Sequence, residues 1–138
     1  AEYGAGTIKL VMVEFLQLMG DRGAGNRVAE LGMISRGFKG MAKELGLSVW
    51  VLSQLNRGVE SRTNKRPMSS DLRESGNIEE DADLIMMLYR EEYYDPDTPD
   101  RGIAEWIVAK NRNGPTGTVK LLFEPQYTRF RNLAPSIG

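Results

Sequence analysis

The chain has 138 residues, enough for one domain with a packed core, and its 41% hydrophobic and 27% charged residues are ordinary globular composition. It contains no cysteine and no histidine, which excludes disulfides, thiolate nucleophiles, imidazole-based triads and most zinc sites, and fits a reducing compartment. A net charge of −1 supplies no global field to gather nucleic acid, so DNA or RNA could be held only by a local patch.

The first element is "TIKLVMVE", Thr7 to Glu14. It is apolar and rich in β-branched residues, which predicts a strand buried on both faces, as in a parallel sheet. Its last residue is a lone carboxylate. A carboxylate taken out of water needs a cation, a donor or a ligand-borne metal. "GDRGAG" then reads as a flexible loop. From Asn26 to Leu45 apolar residues recur at spacings of three and four: Val28, Leu31, Ile34, Phe38, Met41, Ala42 and Leu45. That spacing predicts a helix, with Asn26 as N-cap and Gly46 as stop. Gly32, Gly37 and Gly40 weaken it, each by roughly 1 kcal/mol relative to Ala.

"LSVWVLSQ", Leu47 to Gln54, is a second expected buried strand. Strand, helix and strand at this spacing form a βαβ unit with parallel strands. Ligands of open α/β sheets bind beyond the carboxyl ends of the strands. Glu14 and Gln54 would then share the rim where a ligand sits, and the lone acid would face a cation carried by that ligand.

Residues 55–70 are polar, basic and aperiodic, a loop long enough to suggest a function. "SDLRESGNIEEDAD" reads as a short capped helix, a glycine break and a second acidic turn. "LIMMLYR" is a third strand. After a Pro/Asp/Gly turn region, "IAEWIVAKNR", "GTVKLLFE" and "YTRFRNL" alternate and are joined by short turns such as "NGPTG", which predicts antiparallel hairpins. The fold class expected is α/β, a parallel core finished by antiparallel strands. No apolar run reaches the length of a membrane span and no signal peptide opens the sequence.

"VMVEFLQLM", "SQLNR", "SDLRESGNIEEDAD" and "KNRNGPTG" occur in this order. In these motifs, and over nearly the whole chain from about Gly6 to Leu133, the sequence resembles the DnaB-type replicative DNA helicases. The resemblance implies one partial domain over residues 1–138. It would be the C-terminal part of a RecA-like ATPase domain, a parallel sheet flanked by helices and finished by C-terminal hairpins. It implies a motor of the replisome that uses ATP and Mg2+ to draw single-stranded DNA through a homo-hexameric ring in the cytoplasm, with primase and a helicase loader as partners. The family's phosphate loop precedes the strand that ends at Glu14. No G-x-x-x-x-G-K-[ST] occurs in this sequence, so this chain alone is expected to be inactive.

Residue by residue, Glu14 matches the acid that orders magnesium, where the family usually has Asp followed by Tyr. Gln54 matches the amide that senses the γ-phosphate. Lys110 and Arg112 match cations that reach the neighbouring subunit's ATP. Arg73, Glu74 and Gly76 match a loop that binds the DNA backbone through main-chain N–H groups. The basic residues Arg57, Arg62, Lys65 and Arg66 form a second candidate for phosphate contact, as readily read as a solvated loop. Glu79, Glu80, Asp81 and Asp83 read as a helix start and solvated face, not a metal cluster. Met12, Met33, Met41, Met86 and Met87 read as core filler. Two alternatives stand beside the helicase: a recombinase-like or clock-like RecA fold, against which "LRESG" and "KNRNGP" argue, and a non-catalytic DNA-binding or subunit-interaction module.

Overall fold

The computed structural model describes residues 6–20, 26–75 and 77–133, with the backbone alone at 73–75. The described residues form two units. The first runs to Gly58 and includes Ser69–Ala82; the second takes Val59–Met68 and the described residues from Asp83 on.

The first unit is built on a parallel pair of strands, β1 (Leu10–Val13) and β2 (Ser48–Val51), joined through helix α1 (Arg27–Leu45). Met12 lies opposite Trp50, and Val13 opposite Val51. The ladder continues past the strand ends: Leu52 N–H donates to the Val13 carbonyl and Leu16 N–H to the Leu52 carbonyl, each at 2.9 Å. Helix α1 starts where its cap predicts, with the Asn26 side chain accepting from Ala29 N–H at 3.1 Å. It ends at Gly46, whose φ of 61° is left-handed backbone, a conformation that costs glycine nothing. Leu31 is buried; Ile34, Phe38, Met41 and Ala42 are half-buried; Val28 and Leu45 are exposed. The inward face of α1 is therefore narrower than its apolar stripe. A 3-10 turn (Ser69–Ser75) and a short helix α3 (Ile78–Asp81) flank Gly76 and complete this unit.

The expectation that both strands of this pair are buried on two faces does not hold. Ile8, Leu10, Met12 and Trp50 are 59%, 45%, 62% and 46% exposed. Strand residues alternate between faces, and α1 packs on β2, so one side of the pair has a cover. Among the described residues of this unit the opposite face has none.

The second unit contains α2 (Gly58–Ser61), which begins at the last residue of the first unit, and a four-stranded antiparallel sheet in the order β3 (Leu84–Tyr89), β4 (Ile103–Asn111), β5 (Gly117–Glu124), β6 (Arg129–Asn132). The three expected tail strands are all present. The third strand of the sequence belongs to this antiparallel sheet and not to the parallel pair. Along β3, Ile85 and Met87 are buried while Leu84, Met86 and Leu88 are exposed. Of the five methionines expected in the core, Met87 is buried and Met41 half-buried, but Met12, Met33 and Met86 are exposed. Met12 and Met33 are each 62% exposed and Met86 38%. Gly102, at φ +72°, lets its carbonyl accept from Phe123 N–H at 2.7 Å.

Candidate functional site

Glu14 is the first residue beyond β1 and is exposed; the Glu14–Phe15 peptide is cis. The chain then turns through a 3-10 segment, Leu16–Leu18. Leu16, 1% exposed, anchors that turn. Arg27, from the start of α1, donates through Nη2 to the carbonyls of Gln17 (2.8 Å) and Met19 (2.6 Å), while its Nη1 pairs with Glu30 at 2.5 Å. No ion pair engages Glu14 among the described residues. Its carboxylate meets the desolvation problem by remaining in water at the rim.

Gln54 lies three residues past β2 and is exposed. Its main chain is held by another side chain. Gln17 Oε1 accepts from Gln54 N–H at 3.1 Å, and Gln17 Nε2 donates to the Gln54 carbonyl at 3.2 Å and to Ser53 Oγ at 2.9 Å. Glu14 and Gln54 thus close the carboxyl ends of two paired parallel strands, as their positions in the sequence predict.

In the second unit Lys110 is the penultimate residue of β4, opposite Ile85. The register shifts at Ile85/Met86, a bulge beside Lys110. Such bulges re-aim side chains. Arg112 follows the strand; its N–H donates to the Asp83 carbonyl at 2.8 Å, and its guanidinium lies 3.4 Å from the Asp83 carboxylate. Asn111 caps the turn: its Oδ1 accepts from Asn113 N–H at 3.2 Å and its Nδ2 donates to the Pro115 carbonyl at 3.3 Å.

The basic loop is ordered by its own cations. Arg62 donates to the carbonyls of Asn64 (3.2 Å) and Arg66 (2.8 Å), and Lys65 to those of Glu60 (3.0 Å) and Arg62 (3.1 Å). Arg66 pairs with Glu105 on β4 and lies over the Tyr89 ring, 5.2 Å from its centroid. Glu105 is 7% exposed; Arg66 and, at 3.9 Å, Lys120 Nζ compensate its buried charge. Burial first, and the Glu91 carboxylate next, push the Tyr89 hydroxyl above its usual value, with Arg66 opposing them. The cleft lined by Arg66, Tyr89, Glu91, Asp100, Ile103 and Glu105 measures about 30 Å3, far below the few hundred Å3 of a small-molecule pocket. It is too small for a nucleotide.

Gly76 and the side chains of Arg73 and Glu74 lie outside the described residues; the backbone of 73 and 74 belongs to the Ser69–Ser75 turn. Glu79, Glu80 and Asp81 occupy the first turn of α3, where acids offset the helix dipole. Among the described residues no group of three or more acidic side chains could hold a metal. A magnesium ion bound to phosphates requires only one or two carboxylates and keeps several waters. A single exposed carboxylate at a strand end, as at Glu14, fits that demand.

Three residues escaped the reading of the sequence: Gln17, Asp83 and Glu105. Only Gln17 left a signal, as the one uncharged polar residue in the run "EFLQLM". Asp83 merged into the acids around it, and Glu105 resembled any outward residue of an alternating strand.

Comparison with known proteins gives one consistent result. The profile of the DnaB-like helicase C terminal domain matches residues 2–132. The chain is 55% identical over 130 residues to the replicative DNA helicase DnaB of Pasteurella multocida, covering 94% of this chain and 28% of that protein. It is 51% identical over 126 residues to the replicative DNA helicase DnaC of Bacillus subtilis, covering 90% and 28%. Two solved structures superpose with a TM-score of 0.88 at 48% identity over 95% of this chain: the ATPase domain of G40P, of which 46% is covered, and a DnaB-like replicative helicase studied for its interactions with primase, of which 32% is covered. The chain thus spans just over a quarter of the length of these curated relatives. Among the described residues no helix is long and apolar enough to cross a membrane.

Proposed function

We propose a function from one premise: this chain belongs to the DnaB-like helicase C-terminal domain family. It forms part of the RecA-like motor domain of an ATP-driven replicative DNA helicase. In the intact protein the domain assembles into a homo-hexameric ring, moves single-stranded DNA, and works beside primase and a loader in the cytoplasmic replisome. We place residues 1–138 within a single motor domain. The apolar face of Ile8, Leu10, Met12 and Trp50 packs against the remainder of that domain, which the curated relatives carry in the length this chain does not span. The helicase names of the relatives leave the non-catalytic module without an observation in its favour.

The observation that carries the reading is the rim of the parallel pair, where an exposed carboxylate and an exposed amide close two neighbouring strands. Bound ATP with Mg2+ would supply the phosphoryl group whose transfer to water drives the motor. Glu14 would hold the metal through its carboxylate and the waters around it. Gln54 can hydrogen-bond phosphate or the attacking water without adding charge. Lys110 and Arg112 offset developing negative charge from the neighbouring subunit, Arg112 with a planar fork suited to phosphate oxygens. The backbone at Arg73, Glu74 and Gly76 contacts DNA phosphates, and Arg57, Arg62, Lys65 and Arg66 add a basic loop. Without a phosphate loop, the 138-residue chain lacks the main cradle for the β- and γ-phosphates and is inactive by itself.

The test is ATP hydrolysis by the intact protein with and without single-stranded DNA. Hydrolysis should be DNA-stimulated, lost in Glu14→Gln with an altered magnesium dependence, and kept or raised in Glu14→Asp. Unchanged turnover and magnesium dependence in Glu14→Gln would make the carboxylate a strand cap and remove the basis of the reading.

A further inference from the structure

Gln17 sits in the turn directly after Glu14 and uses both ends of its carboxamide on the opposite strand end. Its oxygen accepts from Gln54 N–H at 3.1 Å; its nitrogen donates to the Gln54 carbonyl at 3.2 Å and to Ser53 Oγ at 2.9 Å. Ser53 Oγ also donates to that carbonyl at 3.3 Å. One donor and one acceptor are matched to one main-chain acceptor and donor. Reversing the amide would set oxygen against oxygen and nitrogen against N–H, so its orientation is fixed by its partners. The far end is equally constrained. Leu16 is buried, and Arg27 holds the carbonyls of Gln17 and Met19 from α1. A side chain with several rotatable bonds is thus tied at both ends, and the rim residues after β1 and after β2 are linked by something other than the sheet.

A Gln at such a place could be no more than a loop staple. Two features argue for more. The hydrogen bonds converge on the main chain of Gln54 itself, whose side chain stays exposed at the rim. Gln17 also shares its turn with Glu14, so a displacement at either strand end reaches the other through a single amide.

We propose that Gln17 is a positioning residue: its carboxamide locks the main chain of Gln54 to the turn after Glu14 and so holds the Gln54 side chain where it reads the nucleotide. This rests on the role given to Gln54 above. Removing the lock frees the Gln54 segment and loosens the link between nucleotide and DNA, while the ATP-binding contacts made elsewhere persist.

The experiment compares wild type, Gln17→Met, Gln54→Ala and the double variant in the intact protein, with kcat and KM for ATP measured with and without single-stranded DNA and the melting temperature recorded in parallel. Met keeps the volume of Gln and removes its hydrogen bonds. Gln17→Met should lower DNA-stimulated kcat by about tenfold and leave KM within about twofold, with the melting temperature close to wild type. In the Gln54→Ala background, where no side chain remains to be positioned, Gln17→Met should cost nothing further, a non-additivity that a plain structural staple would not give. Full stimulation in Gln17→Met beside a damaged Gln54→Ala overturns the positioning role alone. Additive losses, or losses that track a fall in melting temperature, overturn it as well. Full activity in Gln54→Ala overturns the role of Gln54 and this inference with it.

Discussion

Arg112 is bound twice to Asp83: its N–H donates to the Asp83 carbonyl at 2.8 Å, and its guanidinium stands 3.4 Å from the Asp83 carboxylate. Asp83 lies two residues past α3 and immediately precedes β3. The cation proposed to act across a subunit interface is therefore paired with the last acid of the segment Glu79–Asp83. Both side chains of the pair are 51% exposed, and exposed pairs are worth roughly 0–1 kcal/mol. Asp83→Asn should accordingly cost less than about 1 kcal/mol of stability, yet lower kcat of the intact protein several-fold through a misaimed Arg112. Denaturant melts and steady-state ATPase assays separate the two effects; a large stability loss with unchanged kcat would assign the pair to the fold alone.

Leu31 is 2% exposed and Met33 62% exposed on the same helix. Leu31→Ala should destabilise by about 2–5 kcal/mol, and Met33→Ala by no more than about 0.5 kcal/mol. Equal losses in urea melts would mean that Met33 is covered in the intact protein and that the outward face of α1 is an interface.

Glu92 supplies a pH test. Its carboxylate accepts from Gly102 N–H at 3.1 Å and lies near Arg90 (3.5 Å) and Arg101 (3.7 Å). The Gly102 N–H first, then Arg90 and Arg101, hold its pKa below the usual 4.5. A depressed folded-state value stabilises above the unfolded value and is lost as pH falls through the folded one. Wild type should therefore lose more stability than Glu92→Gln as pH drops below about 4.5. Parallel curves for the two proteins in acid melts would remove Glu92 from the account.

DNA binding should be indifferent to sequence and weaken with salt through counterion release. The double variant Arg62→Ala, Lys65→Ala should reduce affinity equally on all sequences and lower the log–log salt slope by about 1–2. Arg66 is left out because it makes the shorter of the two ion pairs to the buried Glu105, so its loss would also disturb the fold. A base preference, or a salt slope that does not move, would take the basic loop off the DNA.

Periodicity and caps made α1 legible to the residue, because Asn26 and Gly46 act through local geometry that the sequence alone determines. Parallel pairing of β1 with β2 followed from connection length, and the hairpins from "NGPTG" and alternation. Burial was less legible. The apolar run at Leu10–Val13 promised two covers, yet cover depends on layers that one strand's residues cannot specify, and Met12 and Trp50 lie open. The site divided in the same way. Glu14, Gln54, Lys110 and Arg112 are proposed from motif and position. Gln17, Asp83 and Glu105 act through partners 37, 29 and 39 residues away, and no spacing rule reports a contact at that range.

The central claim is that nucleotide lies between Glu14 of one subunit and Arg112 of the next. Rings reassembled from a mixture of Glu14→Gln subunits, which keep Arg112, and Arg112→Ala subunits, which keep Glu14, test it most directly. In an equal random mixture about a quarter of the interfaces pair an intact Glu14 with an intact Arg112. ATP hydrolysis by the mixture should rise above that of either variant alone. Hydrolysis no higher than the average of the two parents, in rings shown to have exchanged subunits, would contradict the shared site and the motor built on it.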